Sequence, residues 1–269
     1  MERPVTVVVP LVPQHDVFVP SLLQSLTRDR DLIRKVVLAR SSVNRSQIDA
    51  LREWTGELSK EHSIPVDLLP DRARRTAGAN RNRGWCSSNS EYTAFLDADD
   101  SYAEGRLGCL VDVAEAFGSN LVLHDFWYSR ESECDVVLDS WSLDDVIHTD
   151  SIFSATFPNG RNRSSEGTIP GDTNILIPQE SDRPLQVGHG YAFVRTKIRS
   201  QVQFGLRYPG EDGQFCRDVL WSLGRVDYIP ARLATYRREL TAERQADYRD
   251  KLTRRLRSVR DIGWSALKP

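Results

Sequence analysis

Residues 91–102 read EYTAFLDADDSY, an apolar run that ends in a cluster of acids. The run itself, residues 92–96, is rich in aromatic and β-compatible residues, which predicts a short strand buried on both faces. Asp97, Asp99 and Asp100 follow it directly. Because like charges at the end of a buried strand repel one another and lose hydration, a cation or a set of fixed donors must compensate them.

Asp97 and Asp99 are two positions apart, so in an extended chain they point to the same side. The carboxyl ends of strands are where open α/β sheets bind ligands, and carboxylates suit a hard divalent metal that holds a phosphate. The alternative is that the acids only cap the next helix. Ser101 and Glu104 have capping-box spacing, and we expect Asp100 at the helix entrance. Capping needs one carboxylate, which leaves the first two as metal or ligand candidates.

Composition excludes several other classes of protein. A length of 269 residues allows one large α/β domain or two small ones. The net charge of -2 disfavours a general nucleic-acid binder, whose footprint is usually basic. No apolar run approaches the length that spans a bilayer, and the N-terminus lacks the pattern of a signal peptide. The four cysteines show no zinc-binding spacing, so we expect reduced thiols and a cytoplasmic location.

The first 70 residues alternate between strand and helix patterns. Short apolar runs predict strands at residues 5–9, 36–38 and 66–69, and helical spacing predicts helices at residues 20–26 and 47–62. Such an alternation is typical of a parallel sheet with right-handed crossovers, as in the nucleotide-binding half of a doubly wound fold.

An arginine-rich segment, residues 72–83, lies just before the acidic strand end and contains five arginines. Arginine forks suit phosphate oxygens. Arg81 and Arg75 are therefore candidate ligand-binding residues, and the alternative is a solvated basic helix face.

A second acidic pair, Glu211 and Asp212, opens an apolar helical stripe. On their own these residues would be ordinary acids of a first helical turn, where negative charge is favoured. Between the two acidic motifs, residues 129–186 show few periodic stretches and predict a loop-rich insert. We expect this insert to shape the side of a site on which a second substrate, the acceptor, would bind.

Together these motifs resemble the inverting glycosyltransferases of family 2, which have the GT-A fold. The likeness rests on five segments in the expected order: VVVP at residues 7–10, ANRNRG at 79–84, FLDADD at 95–100, GED at 210–212, and the stretch from YIP at 228–230 to YR at 236–237. The resemblance implies an α/β fold whose mainly parallel central sheet is flanked by helices, with a nucleotide-binding half and an acceptor-binding half. It implies a single domain over residues 1–240, made of a nucleotide-sugar half (1–128), the insert (129–186) and an acceptor and catalytic half (187–240). A helical extension, 241–269, follows.

The resemblance also implies roles for individual residues. Asp99 would bind Mn²⁺ or Mg²⁺, which bridges the diphosphate of a nucleotide-sugar donor, and Asp97 would contact the ribose or a metal-bound water. The remaining donor-side residues are expected along the same cleft: Pro10, Val12, Arg75, Arg81 and Ala98. Asp212 would be the catalytic base, with Glu211 beside it.

The resemblance thus implies an inverting, metal-dependent sugar transfer to a hydroxyl of a glycan or another acceptor. No nucleic-acid partner and no transmembrane segment are expected, and contact of the basic C-terminal helix with a membrane surface is kept as an alternative. Two departures stand out: residues 38–42 read LARSS where the family has nucleoside-binding aspartates, and Glu239 stands where a histidine is common. A catalytically inactive module that binds sugar nucleotide or glycan is therefore the competing hypothesis. A pyrophosphorylase is disfavoured because no glycine-rich basic loop follows the first strand, and a NAD-dependent dehydrogenase because no G-x-G-x-x-G does.

Overall fold

A computed structural model of the chain describes residues 3–129, 141–149, 152–156, 162–164, 175–178, 185–186, 191–206 and 211–237. The helices in these ranges are α1 Val19–Ser25, α2 Ile48–His62, α3 Ala77–Cys86, α4 Arg106–Phe117 and α5 Glu211–Leu223. The strands are β1 Val5–Leu11, β2 Ile33–Arg40, β3 Val66–Pro70, β4 Tyr92–Phe95, β5 Ser101–Tyr102, β6 Leu121–Ser129, β7 Ile147–Thr149, β8 Ile152–Thr156, β9 Asn162–Ser164, β10 Ile175–Pro178, β11 Leu185–Gln186, β12 Phe193–Arg195 and β13 Val226–Arg237.

The main sheet has the strand order β3-β2-β1-β4-β12-β6-β13-β5, and β7 pairs with β13. Strands β3, β2, β1 and β4 are parallel to one another, which confirms the predicted α/β arrangement of the first half. Strand β12 is antiparallel to both β4 and β6, and β13 is parallel to β6. The carboxyl ends of β1, β2 and β4 therefore lie at one edge, where such sheets place their ligands.

Strand β1 lies inside the sheet and is buried along its whole length. Val5, Val7 and Val9 pack into the apolar cluster on one face, and Val8 packs into the cluster on the other. Both faces are covered, which explains why the strand is mostly apolar along its length rather than alternating between apolar and polar residues. Helix α3 covers the second face, and its Gly84 lies directly against the Val8 side chain.

Four aromatic side chains, Trp85, Phe95, Phe204 and Phe215, form what is called here the aromatic cluster. The rings of Phe204 and Phe215 are stacked with centroids 4.0 Å apart, and Phe95 meets Phe204 edge-on at 4.8 Å. Pairs of this kind stabilise by about 0.5–1.5 kcal/mol beyond their burial. Because Phe95 ends β4 and Phe215 lies in α5, the cluster holds the start of α5 against the carboxyl end of β4.

The predicted capping box after the acidic motif is wrong. Ser101 lies in β5, whose two residues pair with Ala234 and Thr235 of β13. Helix α4 begins later, after Gly105, which adopts a φ of 80° that favours glycine. Pairing with the distant strand β13 therefore overrides the local capping signal, because Ser101 and Tyr102 form strand pairs with it instead of starting a helix.

The described residues of the insert include short strands that the sequence pattern does not predict, while the loop-rich character of the insert as a whole stays a prediction. Strands β8 to β11 form a second sheet with the order β11-β10-β8-β9, and each of its pairs is antiparallel. These strands are only two to five residues long, so their alternation is too short to leave a periodic pattern in the sequence. The predicted boundaries at residues 128, 186 and 240 stay predictions, and the extension 241–269 lies outside the described residues. Within the described part of the chain, none of the helices has the length and apolar character needed to cross a membrane.

The contact between α3 and β1 makes Gly84 a test of the packing. A methyl group at Gly84 would overlap the Val8 side chain, whereas one at Gly56 in α2 would meet no atom within 4 Å. Both substitutions replace a glycine inside a helix, so both gain helix propensity. We expect Gly84→Ala to lower the free energy of unfolding in urea by about 1–3 kcal/mol through overpacking. Gly56→Ala, the control, should raise it by about 0.5–1 kcal/mol; equal effects would show that α3 does not press on β1.

Candidate functional site

The turn that follows β4 carries the acidic motif and is clamped through its backbone. The hydroxyl of Tyr102 accepts a hydrogen bond from the Asp97 amide at 2.7 Å and donates to the Asp97 carbonyl at 3.0 Å. The Asp100 amide donates to the same carbonyl at 3.3 Å. Burial raises the pKa of the Tyr102 hydroxyl well above its ordinary value, so the phenol stays protonated and can make both bonds.

Asp100 holds this turn through a second tyrosine. Its carboxylate is buried and accepts a hydrogen bond at 2.9 Å from the hydroxyl of Tyr191. The Tyr191 ring is stacked on His124, whose Nε2 accepts a hydrogen bond from Arg106 at 2.8 Å. Asp100 is therefore structural, as predicted, but it acts through a tyrosine rather than as a helix cap.

Arg81 joins the two acidic motifs. Its guanidinium, 2% exposed, donates to Asp97 Oδ1 at 2.7 Å, and it contacts Glu211 Oε1 at 3.2 Å and Asp212 Oδ1 at 3.5 Å. Arg81 belongs to α3, Asp97 to the turn after β4, and the other two acids to the first turn of α5. Carboxylates 115 residues apart in the chain, Asp97 and Asp212, thus meet on one guanidinium.

This group of four side chains, the arginine–carboxylate cluster, carries excess negative charge. Burial lowers the pKa of Arg81, but the charges of Asp97, Asp212 and Glu211 outweigh burial and raise it above its ordinary value, so Arg81 stays charged. Burial raises the pKa of the Asp97 carboxyl, and repulsion from Asp99 and Asp212 adds to this, against the lowering by Arg81. The pKa of Glu211 is raised by burial and by Asp212 in the same way. The ionised forms of Asp97 and Glu211 are therefore disfavoured, and a further positive charge nearby would stabilise them.

The segment that contains Phe204 and Gly205 is hydrogen-bonded to α3 next to this cluster. The Asn82 side chain donates to the Phe204 carbonyl at 2.9 Å and accepts from the Phe204 amide at 2.9 Å. The Arg81 guanidinium lies over the Phe204 ring at 5.4 Å. Gly78 faces the carbonyl oxygen of Gly205 so closely that a Cβ would overlap it. A Cβ at Gly78 would also lie 3.3 Å from the Glu211 side chain, so α3 approaches the first turn of α5 directly.

Asp99 lies beside a segment that follows β1. A short 3₁₀ helix, Pro13–Phe18, follows β1 and places His15 Nδ1 3.8 Å from Asp99 Oδ1. The two side chains are 30% and 33% exposed, so both are partly open to solvent at the carboxyl ends of the strands. Among the described residues, no group of three or more His, Cys, Asp and Glu side chains is arranged to hold a metal ion.

Of the other residues predicted to bind the donor, three lie near the acidic turn and one lies outside the arginine–carboxylate cluster. Pro10 is buried in β1, and the carbonyl of Val12 accepts a hydrogen bond from the His15 amide at 2.9 Å, so both lie at the same edge as the acidic turn. Ala98 is buried within the turn. Arg75 is 46% exposed and forms an ion pair with Asp71 at 2.9 Å, outside the arginine–carboxylate cluster. Its contact with a donor stays a prediction, as do the roles of the residues that the structure brings together.

Sequence reasoning missed three residues of the site. Tyr102 lies within residues 91–102. Its position soon after the acidic turn was the one signal that could have indicated its role. His15 and Phe204 are a lone histidine and a lone aromatic residue, and they become recognisable only when Asp99 and Arg81 are seen beside them.

The chain belongs to glycosyl transferase family 2, whose family model matches residues 41–176, half of its length. No curated protein sequence matches the chain significantly. The matched segment contains Arg81 and the acidic turn, and it ends before α5.

Solved structures show the same GT-A fold at low sequence identity. TarS 1–349 of S. aureus in complex with UDP-GlcNAc is 13% identical with a TM-score of 0.56, over 88% of this chain and 59% of that one. The mannosyltransferase PcManGT of Pyrobaculum calidifontis, in complex with GDP-Man and Mn²⁺, is 14% identical with a TM-score of 0.54, over 87% and 56%. A mycobacterial protein is 16% identical with a TM-score of 0.53, over 90% and 70%. The chain thus spans about three fifths of the TarS fragment and 36% of the longer TarS chain.

Removal of Arg81 should be far more damaging than removal of a neighbouring surface arginine. Arg81→Met leaves three carboxylates without their buried partner, and we expect the free energy of unfolding to fall by about 3–5 kcal/mol. Arg75→Met, the matched control, breaks an exposed pair and should cost at most about 1 kcal/mol. Urea denaturation at neutral pH measures both. Similar losses for the two variants would contradict the central position of Arg81.

Proposed function

We propose that the chain is an inverting glycosyltransferase that moves a sugar from a nucleoside-diphosphate donor to a hydroxyl of a glycan or another acceptor. Its membership of glycosyl transferase family 2 supports the reaction class. The observation that carries the proposal is the convergence of Asp97, Glu211 and Asp212 on Arg81 at the edge of the sheet, beside the part-exposed Asp99. A sugar transferase needs such a site, with charge compensation for a leaving diphosphate on one side and a proton acceptor on the other.

The donor is proposed to bind at the carboxyl ends of β1, β2 and β4, with its diphosphate next to Asp99. Mg²⁺ and Mn²⁺ favour oxygen ligands, and Mg²⁺ is often held by one or two carboxylates together with substrate phosphates. The residues present fit such an ion, because Asp99 is a third exposed and repels the nearby Asp97 carboxylate. When bound, the ion would neutralise the charge that develops on the departing diphosphate. Asp97, held by Arg81, is placed to orient the ribose or a water molecule.

Asp212 is the proposed general base. An acceptor hydroxyl is a poor nucleophile until a positioned carboxylate takes its proton. Asp212 lies in the first turn of α5, where the helix dipole favours the ionised carboxylate. Arg81 contacts Asp212 and Asp97 together, so it sets the position of the base relative to the donor turn. The attack of the hydroxyl on the face of the sugar opposite the diphosphate inverts the anomeric centre.

A donor-hydrolysis assay tests the proposed activity without knowledge of the acceptor. Incubation with a panel of nucleotide sugars and Mn²⁺, followed by detection of the released nucleoside diphosphate, should reveal slow hydrolysis of one donor class. Proton NMR of the transferred or released sugar should show an inverted anomeric centre. Tight binding of a sugar nucleotide without any turnover would favour the inactive binding module instead.

Donor binding should depend on metal through Asp99. In calorimetry with the nucleoside diphosphate of the active donor, wild-type protein should bind more tightly with Mn²⁺ than with a chelator. Asp99→Asn should remove most of that difference, because the amide is a weaker ligand for a hard cation. Asp67→Asn, which changes a carboxylate on β3 that is 57% exposed, should behave like wild type. Equal affinity with and without metal in the wild type would contradict the proposed metal dependence.

Asp212→Asn should reduce turnover by about 10²–10⁴-fold, the usual contribution of a general base. The amide keeps the shape of the side chain but cannot accept the proton, so the affinity for the donor should stay near wild type. Glu211→Gln provides the comparison, since it alters the neighbouring carboxylate on the same arginine. A larger loss of turnover in Glu211→Gln than in Asp212→Asn would transfer the base role to Glu211.

A cytoplasmic location and a glycan as the acceptor stay predictions from the sequence.

A further inference from the structure

We propose that His15 is a protein ligand of the divalent cation at the donor site, alongside Asp99. The inference rests on the proposed function, because it assumes a metal-bound diphosphate at the acidic turn. It adds a residue from a different part of the chain, the 3₁₀ helix Pro13–Phe18, which the sequence motifs do not include.

The geometry brings the two groups within reach of one ion. His15 Nδ1 and Asp99 Oδ1 are 3.8 Å apart. Two ligand atoms that each lie about 2.1 Å from a metal are roughly 3 Å apart when they subtend a right angle. A rotamer adjustment of less than about 1 Å therefore suffices, and both side chains are open enough to make it.

His15 is held in place by its neighbours. The next residue, Asp16, accepts two hydrogen bonds from the Arg40 guanidinium, at 3.0 and 2.8 Å. Arg40 is 4% exposed and also donates to the Ser41 carbonyl at 2.7 Å, so this pair fastens the 3₁₀ helix to the end of β2. The Phe18 ring meets the imidazole edge-on with centroids 5.9 Å apart. A ligand whose backbone is fixed in this way costs little to order when a metal binds.

The other described histidines are placed elsewhere. His62 is buried at the end of α2, and His124 is buried against Arg106. His148 bonds Asp227 at 2.7 Å, and Asp227 pairs with the beginning of β6, at the opposite end of the sheet. Within the described residues, His15 is thus the histidine that faces the acidic turn, while Glu239 and His189 lie outside them.

Asp97 already bonds Arg81 at 2.7 Å, and His15 is the imidazole that lies beside the remaining metal candidate, Asp99. A simple ion pair between His15 and Asp99 is the competing explanation. The two make opposite predictions. If His15 is a ligand, its removal weakens metal binding; if it is a counter-charge, its removal frees Asp99 and leaves metal binding equal or tighter.

Imidazole also changes the choice of metal. Carboxylate and water ligands suit both Mg²⁺ and Mn²⁺, whereas a nitrogen ligand favours the transition metal over Mg²⁺. The loss of His15 should therefore affect Mn²⁺ more than Mg²⁺.

Pulsed EPR of bound Mn²⁺ tests the proposal directly, because it detects nitrogen nuclei coordinated to the metal. The samples are wild type, His15→Gln and the control His148→Gln, each with Mn²⁺ alone and with Mn²⁺ plus UDP or GDP. Wild type and His148→Gln should show an imidazole ¹⁴N coupling that changes when the protein contains ¹⁵N-labelled histidine, which separates it from nitrogen of the nucleotide. His15→Gln should lose the coupling, bind Mn²⁺ about 10-fold or more weakly, and show a smaller loss for Mg²⁺.

Several outcomes would overturn the inference: bound Mn²⁺ without histidine coupling in the wild type, an unchanged coupling in His15→Gln, or equal or tighter Mn²⁺ binding by that variant. Thermal melts check that each variant is folded, and His15→Phe serves as a second substitution that supplies no ligand. Donor hydrolysis is measured on the same wild-type preparation. Sugar transfer without histidine coupling overturns the inference alone, whereas coupling without transfer from any donor overturns the proposed function alone.

Discussion

The buried guanidinium of Arg81 is the constraint on which the site depends. A charge taken out of water is costly unless it is paired, and here one arginine faces three carboxylates from two distant segments. Such a cluster contributes little net stability, and its effect is positional. It holds the acidic turn and the first turn of α5 close to the same guanidinium.

The surrounding packing makes that position rigid. Tyr102 clamps both backbone groups of Asp97, while Asn82 fastens the loop at Phe204 to α3. The aromatic cluster then fills the space between β4, α3 and α5. Close packing transmits a displacement of one element to the next. Movement of α5 relative to the acidic turn would therefore have to disturb α3. The packing of these elements thus sets the distance between the proposed base, Asp212, and the acidic turn. Asp99 and His15, which are part-exposed, are the side chains left to adjust.

Local sequence patterns were sufficient to predict the buried strands and the charged residues of the site. The valine run of β1 and the apolar run before Asp97 predicted buried strands, and both are buried in the sheet. The acidic turn, Arg81 and the Glu211–Asp212 pair were all recognised as candidates, because clustered charges beside apolar runs are conspicuous. Their partners could not be predicted. The contact of Arg81 with Glu211 spans 130 positions, and residue type alone does not distinguish an arginine that binds phosphate from one buried among carboxylates. The error at Ser101 and the unpredicted short strands of the insert have the same origin, since pairing between separate segments prevailed over the local signal.

By itself, the sequence determined the α/β class, the order of the first strands and helices, and the identity of the charged residues at the site. These follow from periodicity and from the cost of placing charge beside an apolar strand, which are properties of short segments. The tertiary structure alone decided that Arg81 joins the two acidic motifs, that Asp97 and Asp99 face different partners, and that His15 lies opposite Asp99. The reason is physical: side chains from separate segments meet only where strand pairing and core packing place their backbones, and neither can be read from a local pattern.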